Sequence, residues 1–474
     1  MSSYILKVFI LNFVLVAAGL VVYGRKLDIE RSTKYLLFLT FCLAPMGMAM
    51  KGTVSVFFLI DLFGPLLIFI ALRKISKLSV ELKGDVLLLV LALLFIPLVT
   101  TMANYLLSGG SSSQFTSRGM LGLGIWLYRN TIYVAVFIIA AVAPCSSKNV
   151  TDTLKLIVIL SLPILLLGIV DYSGLMELSV FESILAANNP EVGFNFSTTT
   201  FGWGYLGMFR GSVGQLGVMM FLVAITYATL RSGLSVPICA AMAITAVALI
   251  LVSFSRAGLV GLGVGFFVFL LLSSKGRMPF IILSVVGILL LVPVFQNELV
   301  AARITSISGY TDNSQATRMD AWRLALDSFI TDPFLLLIGN GATNRQGVAA
   351  LTGAHGAHNE YIDAIFRSGV SGLVVLLVLQ WHWLRRSWRL LRNRDNAEYK
   401  SFAALALALL MCNAVMGLTQ DHLYRAYSGY SVGLLMYFLY GLLFSLNKAS
   451  SRMNEKTAPA LTSHYAAFNW VRAQ

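Results

Sequence analysis

Long apolar stretches recur along almost the whole chain, and this pattern limits the fold more than any single motif. Hydrophobic residues make up 58% of the chain and charged residues only 12%. The core of a soluble domain does not reach that balance, whereas a set of membrane spans does. We predict about thirteen membrane-spanning segments, at 4–23, 35–50, 53–72, 85–104, 120–144, 155–172, 211–230, 234–253, 257–273, 279–295, 364–384, 401–419 and 428–446.

These segments predict an all-α fold, a polytopic membrane helix bundle of about 12–13 transmembrane helices. The number is twelve if 35–72 forms one re-entrant unit. Two outer loops are large and polar, and the second is expected to be partly helical and to carry the chemistry. The predicted organisation is N-terminal transmembrane helices at 1–172, a first large loop at 173–210, transmembrane helices at 211–295, a second large loop with the catalytic residues at 296–363, C-terminal transmembrane helices at 364–446 and a cytoplasmic tail at 447–474.

Lysine and arginine set the predicted orientation. The net charge of +14 is concentrated in one set of short loops, and such loops face the cytoplasm. The two large loops then lie on the opposite face of the membrane. The charge is explained by topology and by attraction to membrane lipids. No nucleic-acid partner is indicated, because the positive residues are scattered along short loops.

A histidine and an asparagine, His358 and Asn359, lie at the mouth of the predicted span 364–384. On one continuous helix, His358 shares a face with Gly369 and Gly372. We expect these glycines to let a neighbouring helix approach closely below the imidazole. A histidine held at the membrane surface on a rigid element is suited to abstract a proton.

The second large loop contains a predicted amphipathic helix over 314–329. Arg318 shares its apolar face with Trp322. An unpaired charge is costly there, so we expect Arg318 to hold an anion such as a phosphate. Arg323 lies on the far face, three and four residues from two aspartates, and we interpret it as a solvated ion-pair residue.

Other arginines mark the outer ends of predicted spans. Arg210 opens the span 211–230, Arg256 opens the span 257–273, and Arg303 lies early in the second large loop. An arginine can bind two oxygens of a diphosphate at once, and helix N-termini add backbone donors. For each one the alternative is simple contact with lipid headgroups. The recurrence of the pattern favours an anion site.

Two charged residues, Asp61 and Arg129, lie at similar depth inside predicted spans. An ion pair between them would offset the cost of placing both charges in the membrane. We favour a structural pair over a contact with substrate.

A metal site is not indicated. His355, His358 and Glu360 lie close together in the sequence, but no third ligand follows at a characteristic spacing. The four cysteines lie in or at the ends of apolar spans, and no Asp-x-Asp pair occurs in an outer loop.

In this combination, the chain resembles the O-antigen ligase and polymerase superfamily. The resemblance covers roughly residues 200–385. Three motifs carry it, namely Ser255-Arg256-Ala257-Gly258, Arg318-x-x-x-Trp322 followed by Asp332-Pro333 and Gly339-Asn340-Gly341, and His358-Asn359 followed after nine residues by Gly369-Val370-Ser371-Gly372. The spacing of Arg323 and Gly339 also fits one polymerase motif, whose companion in the first large loop is missing.

The resemblance implies glycosyl transfer on the periplasmic face of the bacterial inner membrane, so that both large loops are periplasmic. It implies an inverting enzyme without metal or cofactor. The donor is an undecaprenyl-diphosphate-linked oligosaccharide. The acceptor is a second lipid-linked glycan for a polymerase or lipid A–core for a ligase, and other polysaccharide-assembly proteins are potential partners.

Carried onto this sequence, the resemblance assigns the catalytic roles to three residues. His358 deprotonates the acceptor hydroxyl, while Arg210 and Arg318 hold the diphosphate and stabilise its charge as it leaves. Arg256 and Arg303 are secondary candidates for the diphosphate. Asn359, Gly369, Gly372 and Trp322 complete the motifs.

Three function classes remain open from the sequence. A polymerase is preferred narrowly over a ligase, because the second loop is long and the chain has extra spans. A flippase or other transporter of lipid-linked oligosaccharides would place its charges along a path at mid-membrane depth. Only Asp61 and Arg129 do so here, which favours the enzyme. A membrane scaffold is the third reading, and the ordered motifs argue against it.

Overall fold

The computed structural model is almost entirely helical. It describes residues 13–22, 27, 29–42, 47–49, 56–107, 117–143, 146–172, 210–230, 235–253, 255–273, 313–341, 359–392, 397–418 and 432–449. Within these ranges the helices are α1 (Phe13–Val22), α2 (Arg31–Cys42), α3 (Gly64–Ile75), α4 (Val80–Leu107), α5 (Ser117–Val142), α6 (Ser147–Tyr172), α7 (Arg210–Leu230), α8 (Ser235–Val252), α9 (Arg256–Leu272), α10 (Asn313–Thr331), α11 (Pro333–Ile338), α12 (Glu360–Arg392), α13 (Ala397–Gly417) and α14 (Val432–Ala449).

Seven of these helices are long and apolar enough to cross a membrane: α4, α5, α6, α7, α12, α13 and α14. The shorter helices α1, α8 and α9 are also apolar. In the part of the chain that the structure describes, the only strands are β1 (Gly47–Ala49) and β2 (Val56–Phe58), which form one antiparallel pair. The all-α polytopic bundle predicted from the apolar stretches is therefore confirmed.

The predicted spans at 35–50 and 53–72 are wrong in their boundaries. Helix α2 ends at Cys42, the strand pair follows, and α3 begins at Gly64 with a proline in its first turn. The run of β-branched and aromatic residues at 53–58 explains the second strand. The twelve residues of α2 extend about 18 Å, less than the roughly 30 Å of the hydrocarbon layer, and a 3-10 helix over Leu59–Phe63 leads directly into α3.

The later spans begin and end close to the predicted positions. Helix α7 occupies Arg210–Leu230 and α9 occupies Arg256–Leu272, each starting one residue before the predicted limit. Helix α12 is longer than predicted at both ends. The predicted span 279–295 lies outside the described residues.

The centre of the bundle is formed by helices that are buried almost all around. Helix α14 packs against α5, where Tyr133 and Tyr437 stack with ring centroids 5.0 Å apart. The side-chain hydroxyl of Ser445 donates to the carbonyl of Ala143 at 2.7 Å. A Cβ on Gly441 would lie 2.6 Å from the Phe137 carbonyl oxygen, so the two backbones touch. Small residues at such crossings allow the close packing that holds helices together in a membrane.

Candidate functional site

Asn359 fixes the start of α12. Its Oδ1 accepts hydrogen bonds from the backbone nitrogens of Tyr361, at 3.0 Å, and Ile362, at 3.2 Å. This is the N-cap arrangement that asparagine favours. Its Nδ2 donates to the carbonyl of Leu418 at 3.1 Å, just beyond the end of α13. The backbone directly after His358 is thereby held at a defined place in the bundle, although His358 itself lies outside the described residues.

The first turn of α12 carries two buried carboxylates, Glu360 and Asp363. Gly417 at the end of α13 makes room for the first of them, because a Cβ there would lie 2.9 Å from Glu360 Oε2. The hydroxyl of Tyr361 donates to the carbonyl of Ala414 at 3.1 Å. Sequence reasoning considered Glu360 only as a metal ligand and overlooked Asp363. The sequence signal for both residues was a pair of acidic residues in the first helical turn after an N-cap asparagine.

Helix α12 is broken at Ser368 and Gly369, and Gly369 has φ 63° and ψ −162°. This conformation is essentially restricted to glycine. The prediction that one straight helical face joins His358 to Gly372 is therefore wrong beyond Ser368. A long apolar sequence with two glycines is compatible with a continuous membrane helix, so the break could not be predicted from the periodicity alone.

The break in α12 is a docking point for the loop that follows α11. The backbone nitrogen of Asn340 donates to the carbonyl of Phe366 at 2.6 Å, and that of Gly341 to the carbonyl of Arg367 at 3.0 Å. These carbonyls end the part of α12 before the break, Glu360–Arg367, which we call its outer half. They would otherwise lack helical partners. The Nδ2 of Asn104 in α4 donates to the carbonyl of Gly339 at 3.0 Å. Three separate segments therefore meet at this point.

The two motif glycines of α12 have different neighbours. A Cβ on Gly369 would lie 2.1 Å from the carbonyl oxygen of Leu337, so the close neighbour is the backbone of α11. A Cβ on Gly372 would lie 2.7 Å from the carbonyl oxygen of Ala364 in its own helix. The expected close approach of a second transmembrane helix is thus wrong for both. Gly369 makes room for α11, and Gly372 makes room for the turn of α12 that precedes the break.

A glycine crossing brings the starts of α7 and α9 together. A Cβ on Gly258 would lie 2.9 Å from the Cα of Gly214. Ser255 caps α9, with its Oγ accepting from the backbone nitrogen of Gly258 at 3.0 Å. Arg210 is the first residue of α7, and the half-buried Arg256 is the first residue of α9. Two arginines proposed for the diphosphate therefore open neighbouring helices, although the side chain of Arg210 lies outside the described residues.

The starts of α7, α9 and α12 and the end of α13 lie on one side of the bundle. Helix α13 links them, because Met416 fills the space at Gly261 in α9 while Gly417 faces Glu360 in α12. A buried polar contact lies deeper in the same group of helices, where Gln215 Nε2 donates to Asn413 Oδ1 at 2.7 Å. Helix starts gathered in this way present backbone donors to one region.

Helix α10 covers the outer half of α12. Ala325 and Phe329 are buried against Phe366 and Leu335, and Trp322 packs at the edge of this cluster. The rings of Phe329 and Phe366 have centroids 4.7 Å apart. The apolar face predicted for this helix is therefore the face turned to the bundle.

The arginines of the second loop have different positions. Arg318 lies in α10, four residues before Trp322, and its side chain lies outside the described residues. Arg303 also lies outside them. Arg323 is exposed, as predicted. The predicted ion pairs with Asp320 and Asp327 are not formed among the side chains that the structure describes.

Arg129 and Asp61 are in direct contact inside the bundle. Their Nη2 and Oδ2 atoms lie 2.7 Å apart, and the Arg129 Nε donates to Oδ1 at 3.3 Å. Both side chains are almost completely buried, with 1% and 4% exposed. The hydroxyl of Tyr128 donates to the backbone carbonyl of Asp61. This geometry is that of a bidentate pair, in which each charge offsets the desolvation of the other.

Sequence reasoning overlooked Arg367. It lies directly before the break in α12 and lines a small cleft together with Pro97, Trp126, Ala364, Ser368 and Gly372. A basic residue within an apolar span was the signal that pointed to it. For metals, the described residues contain no group of three or more His, Cys, Asp or Glu side chains that could hold an ion.

Part of the chain matches a known protein family. Residues 240–377 match the family model described as O-Antigen ligase. This segment contains most of α8, all of α9, α10 and α11, and α12 as far as Leu377. No curated protein matches the chain significantly. The match over residues 240–377 supports the O-antigen ligase and polymerase superfamily, which the motifs predicted.

Proposed function

We propose that the protein transfers a glycan from undecaprenyl diphosphate to an acceptor hydroxyl on the periplasmic face of the bacterial inner membrane. One observation carries the proposal. The family match spans the segment in which an N-cap asparagine, tied to the end of α13, holds the backbone next to His358. A general base must be held within hydrogen-bond reach of the proton that it takes.

The proposed chemistry is a displacement at the anomeric carbon. The acceptor oxygen forms the new bond to this carbon while the bond to the diphosphate oxygen breaks, and the diphosphate leaves with the bonding electron pair. His358 takes the hydroxyl proton, and attack from the opposite side inverts the configuration. We assign the reaction to side chains without a metal or cofactor, because arginine forks can hold a diphosphate and stabilise its charge.

We assign the diphosphate to Arg210 and Arg318, with Arg256 and Arg303 as secondary contacts. The crossing at Gly214 and Gly258 supports the pairing of Arg210 with Arg256, since each opens one of the two crossing helices. The packing of α10 on α12 supports Arg318, because it joins the helix of Arg318 to the helix that follows His358.

We propose a polymerase, which joins lipid-linked repeats, as the first assignment. A ligase, which transfers the glycan to lipid A–core, is the second candidate, and the family match supports both forms alike. Membrane lipids and other polysaccharide-assembly proteins are proposed partners. A transporter of the same lipid-linked glycan is less well supported. The deeply buried charges Asp61 and Arg129 satisfy each other and so do not mark a polar path.

The glycan ladder of a deletion strain tests this proposal and separates its two forms. A polymerase deletion leaves single repeats attached to lipid A–core and removes the longer ladder. A ligase deletion removes all attached glycan and leaves polymer on the carrier lipid. Complementation with the His358→Ala chain, present in the membrane at the level of the unmodified chain, is expected to reproduce the deletion. An unchanged ladder in the deletion strain, or full complementation by His358→Ala, would contradict the proposal.

A further inference from the structure

A strip of exposed apolar side chains runs along the outer side of α10 and α11. Its members each expose between 53% and 79% of their surface, although neighbouring residues of the same two helices are buried. The strip consists of Met319, Leu326 and Ile330 in α10 and Phe334 and Leu337 in α11. Single exposed apolar residues need no explanation, but a continuous row of large ones usually marks a surface that something covers.

The strip occupies a definite sector of α10. At 100° per residue, it lies between the face buried on α12, with Ala325 and Phe329, and the charged face, with Arg323 and Asp327. The helix thus has a protein side, an apolar side and a charged side in this order. Helices that lie in the plane of a membrane interface have such a sequence of faces. Arg323 stands at the border between the apolar and charged sectors, where a long basic side chain reaches headgroups.

Helix α11 lies at the depth of the hydrocarbon layer. The backbone of Leu337 touches Gly369 in α12, and sixteen residues separate Gly369 from Arg385, the start of the arginine-rich end of that helix. Sixteen helical residues extend about 24 Å, and the hydrocarbon layer is about 30 Å thick. With Arg385 at one edge of the layer, Leu337 lies inside its opposite edge.

The two membrane helices that contact α11 also expose apolar side chains near it. On α12, Val370 and Val374 are exposed beside the break, and on α4, Met102 and Leu106 are exposed beside α11. The polar backbone of the turn has hydrogen-bond partners, and its cap is an exposed carboxylate at the border of the strip. Asp332 Oδ1 caps α11 by accepting from two backbone nitrogens, and the turn after α11 donates to α12. Non-helical backbone at membrane depth requires such partners.

We propose that this strip is immersed in the acyl chains of the membrane leaflet opposite the arginine-rich end of α12. The partner is the phospholipid bilayer. Helices α10 and α11 form a re-entrant interfacial unit with the apolar strip in the hydrocarbon, Arg323 at the headgroup phosphates, and Asp320 and Asp327 in water. The inference stands on burial and depth, so it does not depend on the reaction proposed above.

Spin labels on single introduced cysteines test this placement in the full chain. The chain is reconstituted into vesicles of phosphatidylethanolamine and phosphatidylglycerol with Ile330→Cys or Phe334→Cys. Collision of the label with oxygen, which concentrates in hydrocarbon, is compared with collision with a water-soluble nickel chelate. Asp327→Cys is the matched control on the charged face of α10, and Val374→Cys is the lipid-facing control on α12. The unmodified chain, labelled in parallel, measures the background from its four native cysteines.

The expected result is a ratio of oxygen to nickel collision at 330 and 334 that is close to the ratio at 374 and several-fold above the ratio at 327. Nickel collision at 330 and 334 equal to that at 327 would place the strip in water and overturn the proposal. Protection of 330 and 334 from both reagents would mean that protein, such as a second copy of the chain, covers the strip, and would overturn it as well. All four positions are exposed, so the substitutions leave the packed core unchanged.

Discussion

Gly339 and Gly369 meet backbone to backbone, although they belong to a loop and to a transmembrane helix. A Cβ on Gly339 would lie 2.6 Å from the backbone nitrogen of Gly369, and both residues have positive φ angles, of 75° and 63°. No side chain fits between the two backbones. This contact fixes the position of α11 and, through it, of α10 over the outer half of α12.

We expect Gly339→Ala and Gly369→Ala each to disrupt this docking. The backbone conformation alone costs about 1–3 kcal/mol for a residue other than glycine, and the clash with backbone atoms adds to it. Thermal unfolding of the purified chain should begin at lower temperature, and the glycan ladder should shorten. Gly263→Ala is the matched control, because a Cβ at Gly263 in α9 meets nothing within 4 Å. Equal behaviour of all three variants would contradict the importance of the contact.

Asn359 is expected to act through two separable contacts. Asn359→Ala removes the N-cap and the tether to Leu418, and the loss of an N-cap alone costs about 1 kcal/mol. Asn359→Ser keeps an oxygen for the cap, but its shorter side chain has no second arm that reaches the Leu418 carbonyl. If the tether positions His358, the serine variant will unfold almost like the unmodified chain and transfer glycan much more slowly. A serine variant with normal transfer would show that the cap is the only function of Asn359.

The two arginines of α10 should respond differently to substitution. Arg318→Lys is expected to lower transfer strongly, since a point charge cannot bind two oxygens as the guanidinium fork does. Arg323→Ala should leave transfer nearly normal, because Arg323 is exposed on the far side of the helix. The glycan ladder and the amount of protein in the membrane are measured together. Severe loss in Arg323→Ala with a silent Arg318→Ala would reverse the assignment.

The contact between Asp61 and Arg129 should be important for folding. Arg129→Ala leaves a buried carboxylate without its bidentate partner, and breaking a buried pair in this way costs about 3–5 kcal/mol. Exchange of the two residues, Asp61→Arg with Arg129→Asp, should recover part of the folded protein. The amount of monodisperse protein extracted from membranes measures both effects. Lack of any recovery in the exchanged variant would count against the pair.

A second ion pair provides the control for that experiment. Arg386 contacts Glu81 at 3.1 Å, but 75% of the Glu81 side chain is exposed. An exposed pair contributes about 0–1 kcal/mol, so Glu81→Ala should be extracted like the unmodified chain. Similar losses in Glu81→Ala and Arg129→Ala would indicate a general sensitivity of the chain to lost charges.

Features set by local sequence could be predicted well. Helix α7 begins where Arg210 precedes an apolar run, and α9 begins after the N-cap Ser255. The face of α10 that packs on α12 follows from its helical periodicity. The predicted family rested on motifs in the same segment. Each of these signals lies within one helix or one short motif.

Features that depend on contacts between distant segments could not be predicted. The break at Gly369 requires α11 beside it, and the hydrogen bond from Asn359 to Leu418 joins residues 59 positions apart. Helix α11 itself is too short for a periodic pattern. The strand pair at 47–58 was overlooked because an apolar β-branched run in a membrane protein resembles part of a span.

The break in α12 divides this helix into two mechanical parts. In the eight residues before the break, Ile362, Ile365 and Phe366 pack with α10 and α11 in a small apolar cluster, whereas the longer part after the break packs in the main core. A force applied to the loop helices is therefore transmitted to the short part of α12 that follows His358, through backbone contacts at Gly369 that leave no free space.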